Sequence, residues 1–115
     1  MRENLLTPLQ DINHTCEVLL SETELDFMNE QIVQSIYHVA QLLTELVISV
    51  TDFTGDKARE VFSFESRSHL ASIIGYAEVL LDDDDALLKP PQIDLIQQIR
   101  DSGKILLTQL TLLEN

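Results

Sequence analysis

Three histidines and one cysteine are the residues of this 115-residue chain best suited to nucleophilic or metal chemistry. His69 lies in Arg67-Ser68-His69-Leu70, one residue before an apolar position. On a helix that spacing sets the imidazole at the margin of the buried face, where a ring nitrogen could carry a phosphoryl group. His14 and Cys16 stand two residues apart, so a helix points them to different sides and they make a poor metal pair. Cys16 falls on an apolar seam and reads as core. His38, beside Val39, reads as surface. The run Asp82 to Asp85 lacks the alternating acidic spacing and the later glutamate of a calcium loop, and reads as a solvated turn. No metal or cofactor is therefore expected. A single cysteine allows no internal disulfide and fits a reducing, cytoplasmic compartment.

The elements that must position these residues are helical. Leu5, Leu9, Ile12, Cys16 and Leu19 recur at spacings of four and three. So do Ile32, Ile36, Val39, Leu43, Leu46, Val50 and Phe53; Phe62, Ser66, Leu70, Ile73, Ala77 and Leu80; and Ile96, Ile99, Gly103, Leu106, Leu110 and Leu113. Alternating three-four spacing is the seam of helices packed at a shallow angle. The breaks are Ser21 to Asp26, Thr51 to Lys57 around Gly55, and Asp82 to Pro91, with Pro90 and Pro91 suited to a first helical turn. The fold class is thus all-α, an antiparallel four-helix bundle of two tandem hairpins: residues 1–53, a linker at 54–60, and residues 61–115. One domain of this length can bury a sizeable core.

Charge narrows the partners. Twenty acidic residues against seven basic ones give a net charge of −13. That argues against the phosphate contacts of a nucleic-acid binder and equally against attraction to an anionic membrane surface. Leu42 to Val50, interrupted by Thr44, Glu45 and Ser49, is too short to span a bilayer, and the opening residues do not have the pattern of a secretion signal.

The chain also repeats itself. Cys16-Glu-Val-Leu-Leu20 matches Ala77-Glu-Val-Leu-Leu81, and Thr7 to Ile12 lines up with Ser68 to Ile73, both at an offset of 61. Leu42-Leu-Thr-Glu-Leu46 matches Leu106-Leu-Thr-Gln-Leu110 at an offset of 64. Two similar hairpins in one chain imply a pseudo-twofold bundle.

Ile73-Ile-Gly-Tyr-Ala-Glu-Val-Leu-Leu81 resembles the first helix of the dimerisation and histidine-phosphotransfer domain of sensor histidine kinases. That helix opens on H-E-L-R-T-P-L, followed by x-x-I-x-G-Y. Registered on Ile73, Gly75 and Tyr76, Phe64 to Leu70 overlies this box, and Glu65, Arg67 and Leu70 match. Phe64 stands where the phosphoacceptor histidine belongs, and His69 replaces the proline. In the first hairpin Thr7-Pro8-Leu9 with Ile12 matches T-P-L-x-x-I, and Glu3 takes the histidine position. Ser102 onward is similar to the family's second helix.

In that family two hairpins from two subunits form the bundle, an ATP-binding domain phosphorylates the histidine, and a response-regulator receiver takes the phosphoryl group. These 115 residues have no room for the ATP-binding domain. Phenylalanine offers no nucleophile, and a carboxylate would give a labile mixed anhydride. The resemblance therefore implies a non-catalytic interaction protein that docks a receiver or a kinase's helical domain, through Phe64, Arg67, His69 and Tyr76 on the third helix and Glu3 on the first. One alternative is a phosphotransferase relaying through His69, since Arg67 to Leu80 can be read as a distorted H-x-L-K-G-S motif of monomeric phosphotransfer domains. Ala71 and Ser72 replace its Lys and Gly. The other alternative is an acidic adaptor for a basic partner outside phosphorelays.

Two features favour binding. Helix two shows Val33, Tyr37, Leu42, Val47 and Ile48 beside its seam, an apolar surplus that suits a partner or a homodimer through that helix as well as a monomer with a deeply central helix two. Both hairpin turns should also lie at one strongly acidic end. Arg2, Lys57, Arg59 and Arg67 should gather at the other, a polarity that orients an incoming partner.

Overall fold

In a computed structural model, four helices run α1 (Arg2–Glu22), α2 (Phe27–Ser49), α3 (Asp56–Asp82) and α4 (Pro90–Glu114). The structure describes residues 2–49, 56–82 and 87–114, with side chains at 3–49, 59–82 and 87–112. Among them there is no strand. Each helix packs on two neighbours: α1 and α3 both touch α2 and α4, and lie diagonally opposite each other. The result is the antiparallel four-helix bundle that the periodicity predicts, a rod of 46 × 23 × 18 Å. Helix α3 begins at Asp56, so it takes in most of the segment expected to be linker.

Local chemistry starts and stops the helices. Asp26 caps α2: its Oδ1 accepts from the Asn29 N–H at 2.8 Å, and its carbonyl accepts from the Glu30 N–H at 2.9 Å. Helix α4 opens on Pro90 and Pro91, where a missing N–H costs nothing. Gln92 Oε1 then reaches back to the Lys89 N–H at 2.8 Å, and Gln92 Nε2 donates to the Glu24 carbonyl at 2.8 Å. This one buried side chain ties the two hairpin turns together, placing both at one end of the rod. Leu87 adopts a left-handed φ of 57°, which turns the chain so that Leu88 packs against the core before α4 begins.

The core follows the sequence seams in three helices. In α1, Leu5, Leu9, Ile12, Cys16 and Leu19 are buried; 61 residues on, Ser66, Leu70, Ile73, Ala77 and Leu80 are buried in α3. The diagonal pair therefore obeys the pseudo-twofold at these five seam positions.

Helix α2 departs from expectation. Its buried face is Asn29, Val33, Ile36, Ala40, Leu43 and Val47, with Ile32, Val39 and Leu46 only partly buried on its flank; Val50 and Phe53 lie outside the described residues. Two overlapping stripes share Ile36 and Leu43, and one is turned from the other by about 60°. The structure centres the core on the second. Val33 and Val47, read from sequence as surplus surface, are core, whereas Leu42 and Ile48 remain exposed. The α2–α4 correspondence shifts with it. An offset of 63, not 64, pairs every buried residue of α2 with a buried residue of α4, from Asn29 with Gln92 to Val47 with Leu110. Helix α2 has the length and hydropathy to cross a membrane, and only its stripe through Val33, Ile36, Ala40, Leu43 and Val47 is buried in the core of the bundle.

Candidate docking face on α3

Helix α3 buries one face and shows its opposite to water. Phe64, Ser68, Ala71 and Gly75 stand on that outer face, all exposed, with Val61 and Val79 beside them. Phe64 is 76% exposed. It lies two residues before buried Ser66, roughly 200° around the helix. At Gly75 an added Cβ would meet nothing within 4 Å, so no packing inside the bundle requires a glycine there. Gly103 is the contrast: a Cβ would come within 2.9 Å of Ile74 Cγ1, and the bare backbone is what lets α3 and α4 close.

The residues singled out from sequence divide among four surfaces. Phe64 occupies the outer face. Arg67 is half-buried on the α4 side, where its Nη2 donates to Thr111 Oγ1 at 3.2 Å. His69 is half-buried, and Tyr76 is 40% exposed two helical turns further along the same flank. Tyr76 lines a shallow groove of about 320 Å³ with Gln31, Gln34, Ser35, His38 and Val39, which marks this flank as the α2 side. Glu3 is exposed on α1, diagonally across the bundle, at the position equivalent to Phe64 under the offset of 61. Five residues expected to act together are thus spread around the rod. Ser68, Ala71 and Gly75 enter the sequence reading only as points of the resemblance and not as contact residues, although their spacing midway between the seam positions marks the outer face. Arg2, Lys57 and Asp83 to Asp85, assigned to the two poles, lie outside the described side chains, while Arg59 is exposed near the start of α3.

The remaining polar groups hold structure. Tyr37 donates from its hydroxyl to Glu17 Oε1 at 2.9 Å across α1 and α2, and that hydrogen bond raises the phenol above its ordinary range. Asn13 Nδ2 donates to Thr44 Oγ1 at 3.0 Å between the same helices. Burial pushes the Cys16 thiol up to about 12, with Glu17 adding to the shift, so the sulfur stays protonated and is no thiolate nucleophile at neutral pH. Among the described residues no three His, Cys, Asp or Glu side chains are placed to hold a metal ion.

No protein-family model, curated protein or solved structure matches the chain, so the resemblance to histidine kinases rests on the residues quoted for it.

Proposed function

We propose that the chain is a non-enzymatic docking protein of two-component signalling. It holds a response-regulator receiver, or the helical domain of a sensor kinase, on the outer face of α3 and thereby sequesters, inhibits or scaffolds it. The observation that carries this reading is Phe64. A large apolar side chain projects into water at the position where the resemblance places the phosphoacceptor. It does little for the bundle there, whereas burial in a partner's pocket gains about 1.5–3 kcal/mol. Ser68, Ala71 and Gly75 continue the same face with small side chains, which lets a partner's backbone come close. Gly75 costs the helix about 1 kcal/mol relative to alanine, a cost that no contact within the bundle explains. A relay through His69 competes with this reading, but its half-buried imidazole lies on the α2 flank and away from that face.

Calorimetric titration against purified receivers and kinase helical domains tests the proposal. Both substitutions, Phe64→Asp and Gly75→Leu, alter exposed positions: Phe64→Asp leaves the melting temperature nearly unchanged and Gly75→Leu raises it, while each weakens binding at least tenfold. Full affinity in both variants would remove the α3 face from the function.

A further inference from the structure

The hairpin of α1 and α2 carries a second feature, at the opposite end from the start of α3 and independent of the reading above. Where α1 ends and α2 begins, Leu19, Leu20 and Leu25 floor a groove of about 320 Å³, with Thr23 beside them and Glu24 and Glu30 at its lip. Leu20 and Leu25 are only partly buried, so their methyl groups remain reachable. Phe27 is 72% exposed and stands one helical turn from Glu30, extending the apolar surface past the rim.

Charge decides what covers it. Residues 3–49 carry eight carboxylates and no Lys or Arg. Within these residues no cation can pair with Glu24 or Glu30, and Lys89, in the adjoining turn that Gln92 ties to Glu24, forms no ion pair with either among the described residues. An anionic or neutral apolar partner would be repelled or unmatched there. A lysine or arginine side chain fits both parts of the site: its aliphatic stem lies on the leucines and its charged head meets the carboxylates. The apolar surface at Phe27 calls for a large aliphatic or aromatic residue next to that cation.

We infer that the turn end of the α1–α2 hairpin is a docking site for a cationic amphipathic segment of a partner protein. The segment seats a Lys or Arg in the Leu19–Leu20–Leu25 groove against Glu24 and Glu30, and an apolar residue on Phe27. The site lies at the other end of the rod from the start of α3, so one molecule can hold two partners at once.

The probe is a synthetic amphipathic helix of alternating leucine and lysine faces, titrated into the full chain by calorimetry and by amide chemical-shift mapping. Oligolysine of equal charge and spermidine serve as comparisons. The amphipathic peptide binds, its shifts cluster at residues 19–30, and raising the salt weakens it. The Phe27→Ser/Glu24→Gln/Glu30→Gln variant loses at least tenfold in affinity, while Glu45→Gln, an exposed carboxylate near the far end of the same hairpin, changes it less than twofold. Equal affinity for oligolysine or spermidine would overturn the assignment to an amphipathic segment. An equal loss in Glu45→Gln would reduce the site to diffuse charge, and absence of peptide binding would refute it outright.

Discussion

Ser66 sits in the centre of the bundle with no exposed surface, and its Oγ finds no hydrogen-bond partner. Other helical hydroxyls in the chain behave differently: Thr7, Thr15, Ser35 and Thr44 each donate to the carbonyl four residues earlier. The equivalent of Ser66 in α1 is Leu5, fully buried and apolar. Ser66→Ala removes the orphaned hydroxyl from an apolar site, which gains about 1–3 kcal/mol. Alanine also forms helix better than serine by about 0.5 kcal/mol. Together these give about 1.5–3.5 kcal/mol of added stability. For a chain of this length the entropy of unfolding is about 240 cal/mol/K, so the melting temperature rises by roughly 6–14 °C. Urea titration followed by circular dichroism should show a higher midpoint with an unchanged slope, because the surface exposed on unfolding is the same. An unchanged or lowered midpoint would show that the hydroxyl is partnered in solution, and the account of this core position would be wrong.

Four further outcomes follow from the geometry. Gln92→Ala strips the partners from the Lys89 N–H and the Glu24 carbonyl and lowers stability by about 1–3 kcal/mol, read by thermal melting and by faster hydrogen exchange at Lys89. Asp26→Ala removes the α2 cap and costs about 1 kcal/mol, detectable in the same melts. Gly75→Ala stabilises by about 1 kcal/mol. Gly103→Ala destabilises, because the new methyl meets Ile74 Cγ1; melting both variants tests the contrast, and equal gains would refute the close approach. Cys16 keeps its proton to about 12 in the fold against an ordinary value of 9.0, so the folded state binds more protons across that interval. Stability is intact below about pH 9 and falls as the pH rises toward 12, by up to about 1.4 kcal/mol per pH unit. Tyr37, also raised, adds loss in the same direction. Denaturation from pH 8 to 11 should show a flatter decline in Cys16→Ala.

How much of this was legible depended on how cleanly apolar residues were separated. In α1 and α3 only one apolar set keeps the three-four spacing along the helix, although Phe64 and Val79 lie outside it on α3, so Leu5 to Leu19 and Phe62 to Leu80 name the core directly. In α2 apolar residues occupy both 32/36/39/43/46 and 33/36/40/43/47, and hydrophobicity alone cannot choose between them. The choice is set by what the neighbouring helices present, which is a tertiary property. The same limit explains the candidate site. The exposure of Phe64 follows from its angle to Ser66, but the separation of Arg67 from His69 and Tyr76 depends on which helix lies on each flank of α3. Gln92 was invisible as a core residue because glutamine is usually at the surface; the double proline before it was the one signal of a helix start at that point.

We propose that the chain binds a phosphorelay partner without entering its chemistry. The most direct measurement mixes the purified protein with sensor kinases and receivers, adds ATP, and follows both complex formation and acid-labile phosphate on this chain. The expected result is a stable complex that Phe64→Asp dissolves, and no acid-labile phosphate on the chain. Phosphate that appears on the protein and vanishes in His69→Ala would contradict it and make the chain a phosphotransferase.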